Sequence, residues 1–131
     1  MARLDDVAPI YRFLGLDADI IGGGRAAATM QVTEQHYSNS PRMHGGLVFV
    51  VFDTVMGLAV RTLVEPGVDV ATIDISMRFI RMVREGQLRV EAEVYHPGRR
   101  VMQVKADAFE DRGKLAAMAT GAFIVLGDAD G

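Results

Sequence analysis

The 131-residue chain has no cysteine and no tryptophan, only four prolines, and no excess of positive charge. Without cysteine there can be no disulfide, no thiolate zinc ligand and no thiol nucleophile. Fourteen Lys and Arg against seventeen Asp and Glu give a net charge of -3, which argues against nucleic acid as the main partner. The histidines, His36, His44 and His96, lack metal-ligand spacing such as HExxH, so no metal site is expected. No apolar run reaches the roughly 20 residues that a bilayer span requires. The longest, Leu47–Val60, is broken by Asp53 near its centre. The segment MARLDDVAPIYRFLG has two early acids and no signal-peptide pattern, so a cytoplasmic protein without membrane attachment is expected.

What is present is globular: 50% of residues are hydrophobic and 24% charged. The length fits one domain, residues 1–131, without repeats or low-complexity tracts. Val7, Ile10, Tyr11 and Leu14 recur at helical spacing, predicting a short helix that ends near Gly15. Residues 17–35 read as extended chain with a turn at Gly22-Gly23-Gly24, followed by the polar loop HYSNSPRM. Gly46–Glu65 is too long for a usual strand and stops at Pro66-Gly67, so it is predicted to be a helix, covered on most sides. Gly57 within it costs roughly 1 kcal/mol relative to Ala, which predicts that another backbone passes close there.

Downstream the period changes from helical to alternating. Ala71, Ile73, Ile75, Met77 and Phe79 share one face, with Thr72, Asp74, Ser76 and Arg78 on the other. Leu88–Val94 and Met102–Ala108 alternate in the same way, and Leu115–Leu126 is apolar on both faces, as a strand that is central or buried at an interface would be. Strands with one apolar face, joined by short turns, make an antiparallel meander, and the long helix is the one element able to cover it. The expected architecture is α+β: a curved antiparallel sheet of five to six strands wrapped around one central helix.

Three features carry chemistry. Asp53 in its apolar helix is either at a surface-facing position of a mostly buried helix, or paired with an arginine such as Arg61 or Arg81, or is a general base or nucleophile tuned by its surroundings. His44-Gly45-Gly46 opens the helix, where unpaired N–H groups and the helix dipole favour a developing oxyanion. Asp53 lies about two turns further on, roughly 10–12 Å along the axis, too far to act on a carbonyl held at Gly45. Both groups can serve one substrate only if a second subunit supplies one of them, which implies a dimer. The third feature is a set of basic residues between Arg78 and Lys105, read either as a solvated strand face or as a phosphate rim centred on Pro97-Gly98-Arg99-Arg100.

HGG with Asp53 at this spacing, then DISMRFIR, HPGRR and ATGAFIVL, resembles the PaaI-like hotdog-fold acyl-CoA thioesterases, relatives of 4-hydroxybenzoyl-CoA thioesterase, over roughly residues 10–126. The resemblance implies the hotdog fold, homodimers with sites at the interface, and pairing of dimers into tetramers. It implies hydrolysis of an acyl-CoA thioester to free acid and CoA, with no cofactor beyond the coenzyme A of the substrate. Asp53 matches the acidic general base or nucleophile, Gly45 the glycine whose N–H polarises the carbonyl, and His44 the histidine that shapes the turn. Arg99 and Arg100 match the turn that contacts CoA phosphates, and Arg81 a strand end near the pantetheine channel. Gly46 and Phe49 are further candidates for binding the substrate. The polar loop residue of many relatives is replaced here, so that Ser38 or Asn39 takes its place, and Thr62 is the nearest candidate for a helix hydroxyl. A non-catalytic acyl-CoA or small-ligand binder on the same fold is the alternative. Hydratase chemistry ranks below both, because His44 and Asp53 are too far apart in one chain.

Overall fold

The structure is a computed structural model that describes residues 9–128. Helix α1 (Pro9–Leu14) leads into strands β1 (Asp17–Gly22) and β2 (Arg25–Val32). A 3-10 turn (Glu34–His36) and a loop then enter helix α2 (Gly45–Arg61), followed by β3 (Val68–Phe79), β4 (Gly86–Pro97), β5 (Val101–Phe109) and β6 (Leu115–Asp128). Of the expected first helix, Val7 lies outside the described residues. The six strands form one sheet in the order β1-β2-β4-β5-β6-β3, every neighbouring pair antiparallel. Strand β6, apolar on both faces, sits between β5 and β3, and β3 is an open edge. No helix among the described residues is long and apolar enough to cross a membrane.

The core is made by large side chains of α2 pressed against a sheet face on which alanines alternate with larger residues such as Val32, Leu88, Val90 and Val104. Val48, Val51, Phe52, Val55, Met56 and Leu58 are buried on the helix. Opposite them lie Ala26 and Ala28 of β2, Ala92 of β4, Ala106 and Ala108 of β5, and Ala117 and Ala119 of β6, all buried. Alternating large and small residues lets the two layers interdigitate at interior packing density. Gly121 carries this to its limit, since a Cβ there would stand 3.1 Å from Met56 Cε and 2.7 Å from the Asp74 carbonyl oxygen.

Helix α2 ends at Arg61, four residues before the expected Glu65. The reason is local. The Thr62 hydroxyl donates to the Ala59 carbonyl at 2.7 Å and accepts the Gly24 N–H at 2.7 Å, closing the helix and tying it to the β1–β2 turn. The close backbone expected at Gly57 is also absent. The nearest atom to a Cβ built there is Phe123 Cε2, at an ordinary 3.6 Å.

Strand β3 departs from the expected alternation. Its pairing with β6 shifts between Thr72 and Asp74, leaving Ile73 unpaired and 51% exposed. A bulge of this kind exchanges the faces on either side of it. Ile75 and Met77 pack on the core as expected, whereas Thr72, read as outward, pairs across from the buried Phe123 and turns towards α2.

Because an Ala methyl fits at position 57, Gly57→Ala is expected to stabilise the fold by about 0.5–1 kcal/mol through helix propensity alone. Urea unfolding checks this, and an unchanged or lower midpoint contradicts the open space described there.

Candidate active site

Phe49, Asp53, Gly57 and Arg61 follow one another every four residues along the face of α2 that the sheet leaves uncovered. Asp53 is half-buried on this face, and its Oδ1 accepts a 2.6 Å hydrogen bond from the Thr72 hydroxyl of the edge strand. Neither arginine expected as its partner takes that role. Arg61 pairs with Asp69 at 2.8 Å, and Arg81 donates to the Leu115 carbonyl at 2.8 Å. Tyr11 of α1 lies near the same face. Burial raises its phenol above the usual range, Arg61 opposes that, and the Asp53 carboxylate adds to it.

The other end of α2 holds the glycine pair. His44 is the N-cap, and its Nδ1 accepts the Gly46 N–H at 2.9 Å. Its own N–H donates to the His36 carbonyl at 2.8 Å, fixing the loop. Gly46 therefore has its N–H engaged by the protein. The Gly45 N–H has no protein acceptor among the described residues. The ring of Phe79 stands over this glycine, since a Cβ built on Gly45 would lie 3.0 Å from Phe79 Cζ. Gly45, Phe79, Arg42, Arg81 and Met82 line a cavity of about 460 Å³. A larger groove of about 750 Å³ continues past Ile80 and Arg81 to the β5–β6 turn. Its three arginines, Arg81, Arg84 and Arg112, are matched by Glu85, Glu110 and Asp111.

Other expected site residues are dispersed. Thr62 is held at the helix end by the two bonds described above, so its hydroxyl is not free for a substrate. The Ser38 hydroxyl contacts the backbone of Ser40, while Asn39 is exposed. Arg99 and Arg100 are exposed in the β4–β5 turn, where the Arg100 carbonyl meets Val125 of β6. That turn is at the Asp53 end of the sheet, because β3 places Thr72 beside Phe123 and Phe79 beside Ala117. Phe49 is 38% exposed, one turn before Asp53. Gly45 and Asp53, eight residues apart, are separated by about 12 Å along the axis, so one chain does not bring them together. Three neighbours of the candidate residues were missed by sequence reasoning as site residues: Thr72 beside Asp53, and Arg42 and Phe79 beside Gly45. Nothing in the alternation marks Thr72; Arg42, next to the glycine turn, could have been weighed. No group of three or more residues able to hold a metal ion occurs among the described residues.

Residues 41–117 match the model of the thioesterase superfamily. A protein of Saccharolobus solfataricus named as an esterase is 30% identical over 88% of this chain and 77% of its own length. The 1,4-dihydroxy-2-naphthoyl-CoA hydrolase of Escherichia coli is 26% identical over 79% of this chain and 76% of its own. Among solved structures, the PaaI protein of the E. coli phenylacetic acid degradation operon superposes with a TM-score of 0.87 at 24% identity, covering 94% of this chain and 88% of that one.

Two carboxylates of the described residues are held below their usual range. For Asp69 the main cause is the Arg61 hydrogen bond, with the Val70 N–H second. For Glu110 it is the Lys114 N–H. A depressed carboxylate stabilises the fold above its unfolded-state value, and this contribution is lost as pH falls through the folded one. Stability is therefore expected to decline below pH of about 4. Asp69→Asn combined with Glu110→Gln should flatten that decline in a series of unfolding midpoints, and an unchanged slope contradicts the assignment.

Proposed function

The chain belongs to the thioesterase superfamily, and from that membership we propose that it hydrolyses an acyl-CoA thioester to the free acid and CoA at a site shared between two subunits. The observation that carries the reading is where Asp53 lies. Its carboxylate is bonded to the open edge strand of the sheet, through Thr72.

An edge strand of twelve residues with Ile73 and Phe79 more than half exposed is a template for pairing with another chain. Thr72, beside Asp53, and Phe79, over Gly45, are seven residues apart on this strand. Antiparallel pairing of two copies of β3 about a two-fold axis between Ile75 and Ser76 sets Thr72 opposite the partner's Phe79. Asp53 then faces the partner's Gly45, and symmetry generates two equal sites. The separation of these groups in one chain is what such pairing requires. Further association of dimers into tetramers is compatible with this arrangement, since it leaves the outer sheet face uncovered.

In the proposed site the thioester carbonyl oxygen accepts the Gly45 N–H, at a helix N-terminus whose dipole favours the growing negative charge. His44 keeps the Gly46 N–H to itself and so fixes the turn rather than touching the substrate. The Thr72 hydroxyl holds one oxygen of Asp53, leaving the other to take a proton from an attacking water or to attack the carbonyl carbon itself. In either route the C–S bond breaks, the thiolate leaves as CoA and takes up a proton, and one water is consumed overall. Arg99 and Arg100, in the turn at the Asp53 end of the sheet, and the partner's Arg42 and Arg81, next to Gly45, are the basic residues proposed to meet the CoA phosphates. CoA belongs to the substrate, and the reaction as written needs no separate cofactor.

Thiol release from a panel of acyl-CoAs tests the reading. The wild-type protein should release CoA, and Asp53→Asn, folded and equally associated, should lose a factor of about 100 to 10,000 in turnover. Binding of acyl-CoA without thiol release by the wild-type protein would instead favour a non-catalytic binder.

A further inference from the structure

We propose that Phe79 is a positioning residue of the shared site, its ring walling the one helix N–H left free to receive the thioester carbonyl. The inference rests on the thioester-hydrolase reading above and adds a residue to its machinery. The N–H groups that open α2, from His44 to Leu47, have no partner a full turn back. That of His44 donates to the His36 carbonyl at 2.8 Å, that of Gly46 to His44 Nδ1 at 2.9 Å, and that of Leu47 to the His44 carbonyl at 3.0 Å. Only the Gly45 N–H has no acceptor among the described residues.

The ring beside it explains why this position is glycine. Gly45 has no positive φ, so its backbone would admit any residue. The three atoms nearest to a Cβ built there all belong to Phe79: Cζ at 3.0 Å, Cε1 at 3.5 Å and Cε2 at 3.6 Å. The ring thus lies against the glycine where a side chain would stand, and both line the cavity of about 460 Å³. An apolar ring there takes a place from which water would compete for the N–H. A hydrogen bond shielded in this way is electrostatically stronger, which favours the oxyanion as its charge grows. In one chain the ring remains 56% exposed. The pairing of β3 described above sets it opposite the partner's Thr72, with both side chains on the same face. Thr72 holds Asp53, so each ring packs on the donor of its own chain and borders the acid of the other.

The test is a double-mutant cycle on CoA release, with acetyl-, hexanoyl- and benzoyl-CoA as probes and whichever the wild-type protein turns over fastest used throughout. Phe79→Leu keeps an apolar residue on the edge strand but ends short of Gly45. It should lower kcat at least about tenfold, part of the roughly hundredfold or greater loss that removing an oxyanion donor brings. KM should change by less than about threefold, because the ring acts through the donor in the transition state. Phe79→Met, long enough to reach the glycine, should recover most of the loss. Gly45→Ala should lower kcat by displacing the same ring, so adding it to Phe79→Leu should cost no more than about twofold further. The proposal is overturned, with the hydrolase reading intact, by a kcat within about twofold of wild type in Phe79→Leu, by no recovery in Phe79→Met, or by losses that multiply independently. Absence of CoA release from all three probes by the wild-type protein would overturn both. Sedimentation shows whether each variant keeps its association. If Phe79→Leu dissociates, Phe79→Met decides: Gly45→Ala should cost severalfold less on that background than on wild type, because a flexible chain yields where a ring does not, and an equal cost overturns the proposal.

Discussion

Helix α2 has to be covered on most of its circumference, and a sheet of ordinary side chains would hold it too far away to close around it. The alanines of β2, β4, β5 and β6 remove that obstacle, and Gly121 removes it entirely at Met56. Large residues on the helix therefore meet alanines over part of the sheet face, while Val32, Leu88, Val90, Val104 and Phe123 fill the rest of it. Because the sheet curls around the helix, only a narrow stripe of α2 stays uncovered. Asp53 is on that stripe. A carboxylate anywhere else on α2 would be enclosed by apolar side chains at a cost of several kcal/mol. The fold thus decides where an acid can stand before any chemistry is considered.

The same constraint separates the two ends of the candidate site. The N-terminus of α2 must lie at one end of the trough, near Phe79, while Asp53 lies further along, near Thr72. Both contacts are to β3, which has hydrogen-bonded neighbours on one side only. An open edge carrying both halves of a site at different heights is the arrangement that a two-fold axis can repair. The proposed pairing joins a base from one chain to an oxyanion donor from the other, and it covers exposed Ile73 and Phe79 in the same step. Membership of the thioesterase superfamily gives this chemistry its reaction.

Much of this was legible in the residues. The alternating strands, the central position of β6, the helix opening at His44-Gly45-Gly46 and the single acid within it all follow from spacing and polarity. The resemblance to hotdog thioesterases agrees with the family match and with the observed sheet and helix. What could not be read was the consequence of a one-residue slip. Perfect alternation assigns Thr72 to the outer face with Asp74 and Ser76, yet the bulge at Ile73 turns it inward to Asp53. A bulge leaves no mark in hydrophobic periodicity, and Thr62, the nearest candidate for the helix hydroxyl that the resemblance implies, is a cap. Similarly, Gly57 read as a close backbone contact because glycine in a helix suggests crowding, and it is open space. Sequence shows that a side chain is missing but not what lies beyond it.

The central claim is that Asp53 of one chain works with Gly45 of another, and subunit mixing tests it most directly. Asp53→Ala removes the acid, and Gly45→Val drives a side chain into the Phe79 ring that stands over the glycine. Each variant alone should be inactive. When the two are unfolded together and reassembled at equal amounts, half the dimers are hybrids. In each hybrid one site carries both lesions and the other carries neither. The account predicts recovery of about a quarter of wild-type thioesterase activity. Reassembly into mixed dimers with no activity regained would place both groups in one chain's site, or outside the chemistry altogether, and would contradict it.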